Sequence, residues 1–259
     1  NRRNNKEAET GKAGFTPVGP VDHDVPVLRV TRDDTLEAVL FGYACHCTTM
    51  SFQKWCGDWA GFAKIDLEEQ HPGTTALFMT GCGADINPLP RRKLELAKKY
   101  GRQLAESVNR VLAEPVQPVG GPLRAAFRQV DLAFETLPSA QELDEAATSG
   151  NAYQKRWARY LKEQMADGPL SPTYPYAVQV VRLGDSLTMV VLAGEVVVDY
   201  SLRLKKELGP NTIVFAYAND VCAYIPSERV LKEGGYEGRT AMVYYGKPSA
   251  WAAGLEDKI

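Results

Sequence analysis

The stretch Leu36-Glu37-Ala38-Val39-Leu40-Phe41-Gly42-Tyr43-Ala44-Cys45-His46-Cys47-Thr48-Thr49-Met50 decides how this chain is read. Leu36 to Cys45 is mostly apolar and predicts a largely buried strand that delivers His46 at its C-terminal end. Along a strand, successive side chains point to opposite faces, so His46 faces away from Cys45 and Cys47. A Cys-His-Cys metal cluster is therefore disfavoured, and the cysteines read as buried free thiols. Upstream, Val25–Val30 predicts a strand and Asp33-Asp34 a turn. Downstream, Asp58 is placed to cap a helix over Trp59–Gln70 that Pro72-Gly73 stops. Thr75–Thr80 predicts a second buried strand, which runs into the glycine-rich turn Gly81-Cys82-Gly83-Ala84-Asp85-Ile86-Asn87-Pro88.

Further along, Leu94, Ala97, Gly101, Leu104, Val108 and Val111 recur at helical spacing with charges between them. Pro115, Pro118, Gly120, Gly121 and Pro122 break the chain. A strand over Arg124–Phe134, helices over 139–148 and 152–166, and a hairpin of Tyr174–Leu183 with Ser186–Leu192 follow. Glu195–Leu208 predicts a helix closed by Gly209-Pro210. A strand over Thr212–Tyr217 and short helices near Ser227–Lys232 and Ser249–Leu255 complete the reading. The fold class is α/β with mixed α+β layers: strands with flanking helices, and an active site in loops at strand ends.

The 259 residues are 44% hydrophobic and 24% charged, and the net charge is −2. With an isoelectric point near 6.0, nothing favours a nucleic-acid partner. No run approaches the roughly 18 apolar residues of a membrane span. Five cysteines at scattered positions are not a disulfide framework. The polar start, Asn1-Arg2-Arg3-Asn4-Asn5-Lys6, shows no signal-peptide pattern and reads as the start of a fragment that lacks its natural N-terminal segment. Residues 1–24 read as an extended lead-in. Oligomeric state is not legible.

Taken separately, the polar residues at the strand ends have ordinary structural readings. His46 could cap or pack, Glu195 could favour a helix N-terminus, Tyr224 could be a core aromatic and Asp85 could shape a turn. Their order and wording, however, resemble the neutral/alkaline, non-lysosomal ceramidases over about residues 20 to 245. Phe41 to Met50 resembles that family's strand ending in a zinc-binding histidine. Gly57-Asp58-Trp59-Ala60-Gly61-Phe62-Ala63 resembles the segment that follows it. Leu77-Phe78-Met79-Thr80 with Gly83-Ala84-Asp85-Ile86-Asn87-Pro88 resembles the active-site turn. Gly194-Glu195, Tyr224-Ile225 and Tyr236-Glu237-Gly238 resemble the zinc-binding glutamate, the zinc-binding tyrosine and a second active-site tyrosine.

The resemblance implies a single catalytic domain over residues 1–259 and a Zn²⁺ held by His46, Glu195 and Tyr224. It implies catalytic roles for Asn87, Tyr236 and Asp85, a small-molecule or lipid amide substrate, and a secreted or periplasmic location; the free cysteines lean the other way on location. Three departures matter: the family's upstream His-x-His segment is missing, its nucleophilic serine is replaced by Asn87, and its C-terminal immunoglobulin-like domain is not evident. Zinc lowers the pKa of bound water to roughly 7, so a metal-activated water could cleave an amide without that serine. Asn87 and Tyr236 would then serve the developing oxyanion, and Asp85 would support the turn or the histidine. The alternatives are a non-catalytic ceramidase-like binding protein, or a zinc hydrolase of a different amide or ester, such as a sugar-derived one. A ceramide-like lipid needs a long apolar groove, which periodicity does not locate.

Overall fold

The computed structural model describes residues 19–259, and the expected lead-in over 1–18 lies outside them. The fold is mixed α+β, with sheets flanked by helices, and it packs as two compact units. The described part of the first unit runs to Arg124 and adds Arg182–Met189 and Val198–Ala216; the second comprises Ala125–Val181, Val190–Val197 and Tyr217–Ile259.

In the first unit, β1 (Val27–Arg32) and β2 (Thr35–Tyr43) form an antiparallel hairpin. Its two-residue turn, Asp33-Asp34, has φ of 48° and 62°. Two positive φ values suit the right-handed twist of a tight hairpin, and aspartate tolerates them better than most residues. From β2 the chain passes through α1 (Asp58–Gln70) to β3 (Thr75–Thr80), which pairs parallel to β2 from Ala38↔Thr75 to Tyr43↔Thr80. A parallel neighbour needs a crossover of this kind. Its consequence is that both strands end on the same edge of the sheet.

Helix α1 turns Trp59, Ala60, Ala63 and Leu67 inward, on one face at helical spacing. Beside it lies α2 (Leu94–Ala113), whose Gly101 makes the close approach possible: a Cβ there would meet Phe62 Cβ at 2.6 Å and Trp59 O at 2.7 Å. The core joins these helices to Val39 and Phe41 of β2 and Ala76 of β3. Each large side chain fully buried here, such as Phe41 or Leu67, contributes roughly 1.5–3 kcal/mol. Helix α5 (Val198–Leu208) and strand β8 (Thr212–Phe215) complete the unit, and β8 ends beside β3, with Ala216 N–H donating to Thr80 O at 2.9 Å.

In the second unit, residues of β4 (Leu123–Ala133), β5 (Thr173–Leu183) and β6 (Leu187–Leu192) are neighbours in that order. Helices α3 (Ala140–Ser149) and α4 (Ala152–Ala166) each begin with a capping box, Ser139 with Glu142 and Asn151 with Gln154. They close over a small core of Leu143, Ala158, Leu161 and Leu170. Two short parallel strands, β7 (Glu195–Val196) and β9 (Tyr224–Ile225), precede α6 (Glu228–Glu233), α7 (Gly235–Gly238) and a 3-10 turn over Thr240–Tyr245.

The expected helix over Glu195–Leu208 is thus shorter and starts at Val198. Glu195 lies on a strand, because Gly194 with φ 71° turns the chain and Glu195 N–H donates to Ala223 O at 2.8 Å. No helix forms over Ser249–Leu255; Trp251 instead bridges Phe134 in an antiparallel pair and stacks on it at 4.9 Å. The described residues contain no helix long and apolar enough to cross a membrane.

One buried ion pair ties the start of the described chain to α5. Asp22 is 7% exposed and accepts from Lys205 Nζ at 2.7 Å and Ser201 Oγ at 2.6 Å. Burial pushes the Asp22 carboxyl up, but Lys205 and Ser201 outweigh it and hold it below 3.8. A carboxylate depressed in the folded state stabilises above its unfolded pKa, and that stability is lost as pH falls through the folded value. Asp22→Asn should therefore cost about 2 kcal/mol at neutral pH. Urea unfolding of both proteins should show the deficit shrinking as pH drops below 3.8.

Candidate functional site

The residues of the first unit gather where β2 and β3 end. The turn after β3 is pressed against the backbone after β2: a Cβ on Gly81 would meet Ala44 Cα at 3.1 Å, and one on Gly83 would meet Cys45 N at 2.4 Å. This contact lets His46 N–H donate to Ile86 O at 3.0 Å and sets His46 Nε2 2.8 Å from Ala84 O. A carbonyl only accepts, so Nε2 carries the proton and Nδ1 holds the lone pair in the neutral ring. Burial lowers the His46 pKa, the bond to Ala84 opposes this, and the Arg91 charge lowers it further. The neutral imidazole is the form a metal requires. Trp59 Nε1–H donates to His46 O at 2.9 Å, so α1 braces the histidine from behind.

Cys45 is buried and Cys47 exposed, and all five cysteines are free. Cys47 escapes burial because the strand has already ended at Tyr43. Asp58 has φ 53° and joins the following loop to the helix, accepting from Met50 N–H and Trp59 N–H, each at 2.8 Å.

Asp85 is 1% exposed. Its Oδ1 accepts from Val198 N–H at 2.9 Å, so it caps the start of α5, and burial raises its pKa. Its Oδ2 has no hydrogen-bond partner. Asn87 is half-buried, and its Oδ1 accepts from Thr48 Oγ1 at 3.0 Å and Arg91 Nη1 at 2.9 Å. With both lone pairs engaged, the amide offers its Nδ2 hydrogens as donors. Thr48 lies in the stretch singled out from the sequence, where it was given no role of its own, and Arg91 was not singled out. Arg91 lies in an unpatterned run after Pro90, where no periodicity marks it.

Beside Asn87 a cavity of about 450 Å³ opens in the same unit, lined by Tyr43, Trp59, Ile86, Leu89, Tyr100 and Leu104 among others. Its walls are mostly apolar, with a few polar groups, as is usual for small-molecule sites.

In the second unit, β7 and β9 pair Glu195 directly with Tyr224. Gly194 permits this register, since a Cβ there would meet Ala223 O at 2.6 Å. Glu195 accepts from Tyr217 Oη at 3.1 Å and from Tyr245 Oη. Burial raises the Glu195 pKa, hydrogen bonds from Tyr224 and Tyr217 oppose this, and Glu237 adds to it. Tyr224 is 7% exposed, and burial and the Glu195 charge push its phenol far above the ordinary value. Tyr236 packs edge-on against Tyr224 with ring centres 5.3 Å apart. Tyr217 and Tyr245 were likewise not foreseen; the tyrosines of this chain carry no spacing signal that separates them from core residues.

As for a metal, Glu195 and Tyr224 stand side by side in one unit, and His46 lies in the other. Carboxylate, phenol and imidazole are acceptable donors for zinc, so the residue types fit. Among the described residues no group of three or more His, Cys, Asp and Glu side chains is gathered to hold a metal ion.

No family model matches the sequence, and no curated protein matches it. Among solved structures, the chain is similar to the neutral ceramidase from Pseudomonas aeruginosa, with a TM-score of 0.64 and 17% identity over 84% of this chain and 43% of that one. It is also similar to a ceramidase complexed with C2, with a TM-score of 0.61 and 16% identity over 89% of this chain and 45% of that one. The chain therefore has a ceramidase-like fold and spans less than half the length of either structure.

Gly83→Ala tests the contact on which His46 depends. The methyl group would strike the Cys45 backbone, at a cost of about 2 kcal/mol. Urea unfolding should show that loss, whereas Gly120→Ala, with open space around its Cβ, should change stability little.

Proposed function

We propose that this chain is a zinc-dependent hydrolase that cleaves an amide bond, N-acyl and ceramide-like, by a metal-activated water. The observation that carries the reading is the register of β7 and β9, which pairs the Glu195 carboxylate with the Tyr224 phenol. The ceramidase-like fold and the apolar cavity beside Asn87 support it. The chain acts as one catalytic domain, and its partner is a small-molecule or lipid amide. Export across a membrane belongs to the same proposal.

His46, Glu195 and Tyr224 would hold the ion. When bound, zinc lowers the pKa of water and supplies hydroxide at neutral pH. The apolar cavity takes the acyl chain and excludes water from it. Asn87, with its carbonyl oxygen engaged by Thr48 and Arg91, donates through Nδ2 to the oxygen on which negative charge develops. Tyr236 donates from its phenol to the same oxygen. Asp85 acts through the turn: it anchors the segment whose Ala84 carbonyl orients His46.

Asparagine at position 87 is also what a non-catalytic binding protein would carry, and zinc content separates the readings. Elemental analysis should find about one zinc per chain in the protein, the occupancy of a single catalytic site, and none in His46→Ala. Cleavage of N-acyl amides should be lost with the metal. Asn87→Ser should not be required for turnover. A protein that holds no zinc, or that cleaves amides only after Asn87→Ser, would favour the non-catalytic reading.

A further inference from the structure

In the second unit, aromatic rings from α4 and from the 3-10 turn over Thr240–Tyr245 meet around a pocket of about 250 Å³. Trp157, Tyr160, Tyr244, Tyr245 and Arg156 line it, with the backbone at Gly246. The walls are held in place. Trp157 Nε1–H donates to Lys247 O at 2.8 Å, which fixes the indole. A Cβ on Gly246 would come within 2.7 Å of the Tyr160 ring, so glycine lets that ring sit directly on the turn. Tyr153 packs edge-on against Tyr244 at 4.9 Å, and the Arg156 guanidinium lies 5.4 Å from the centre of the Tyr153 ring. Yet Tyr160 and Tyr244 are 46% and 49% exposed. A cluster of rings fixed in place and left open to solvent marks an interaction site.

The volume falls below the roughly 300–1,000 Å³ that holds a drug-sized ligand, so the pocket takes one ring and not a long chain. A quaternary ammonium, the usual guest of aromatic walls, would meet the Arg156 charge on the same wall. A pyranose suits both features. Its C–H groups form an apolar, weakly positive face that lies on the negative face of an aromatic ring, and its hydroxyls meet phenols and guanidinium at the rim. Tyr245 ties the pocket to the candidate site: it lines the pocket and donates from Oη to Glu195 Oε1. A ring in the pocket is one side chain away from that carboxylate.

We propose that this pocket is a carbohydrate subsite for a single pyranose ring, and that the substrate is an N-acyl amino sugar whose amide lies beside Glu195. Water adds its oxygen to the acyl carbon, the C–N bond breaks, and the proton from water goes to the nitrogen. The products are a carboxylic acid and a free amino sugar. The cleavage rests on the hydrolase reading above, but the sugar subsite itself does not.

The two are tested separately. Binding of N-acetylglucosamine, of N-acetylethanolamine, which has the same amide and no ring, and of choline is titrated by saturation-transfer NMR on chelator-treated protein, where no turnover occurs. The wild type should bind the sugar at least about tenfold more tightly than either other probe. Tyr160→Ala and Tyr244→Ala should each weaken the sugar about tenfold and leave N-acetylethanolamine unchanged. Arg156→Met, a change at an exposed position, should weaken the sugar severalfold and serves if a tyrosine variant fails to fold. Equal affinities for the sugar and either other probe, or full sugar binding in the folded variants, would overturn the subsite. Turnover of both amides is then measured with zinc supplied. Sugar binding without cleavage of either amide removes the hydrolase reading and leaves the subsite standing. Cleavage of N-acetylethanolamine without a sugar preference in binding does the reverse.

Discussion

The closeness of two strand ends governs the first half of this molecule. β2 and β3 are parallel, so both finish on one edge of the sheet, and the turn after β3 lies directly on the backbone after β2. Only a residue without a side chain tolerates that approach at Gly83, where a Cβ would come within 2.4 Å of a backbone nitrogen. From this contact follows the hydrogen bond between His46 and Ala84. Asp85 then ties the turn to the start of α5, so that one segment serves a histidine, a helix cap and a polar side chain facing a cavity. The orphaned Oδ2 of Asp85 is a cost carried at this junction.

The second half is organised by another short contact. Two-residue strands contribute little stability of their own, yet the pairing of β7 with β9 settles which side chains are neighbours. Burial makes Glu195 reluctant to ionise, and the surrounding phenols partly offset this by donating to it. Tyr224 is in turn discouraged from losing its proton by the carboxylate beside it. Such a pair is held away from its preferred charge state, which is a frequent property of functional residues.

Asn87 changes what the turn can do. A serine at this position could be acylated, whereas an amide cannot, and its carbonyl oxygen is already committed to Thr48 and Arg91. The amide is therefore held as a donor, with only its Nδ2 hydrogens left to offer. A fixed dipole of this kind needs no reorganisation during a reaction, and its orientation depends on neighbours that a substitution can remove.

The sequence by itself determined the elements and the order of the polar islands. The apolar run before His46 and the strand Thr75–Thr80 were legible because burial writes itself as continuous hydrophobicity, and the long helix after Leu94 because its apolar residues recur at helical spacing. The ends of elements were less legible. Glu195 read as the start of a helix, because a carboxylate before an amphipathic run looks like a first-turn residue, and only the positive φ of Gly194 and the partner strand make it a strand residue. The tertiary structure alone decided the register of Glu195 against Tyr224, the capping role of Asp85, and the recruitment of Arg91, Tyr217 and Tyr245. These are contacts between residues distant in sequence, brought together by backbone turns, and no local periodicity records them.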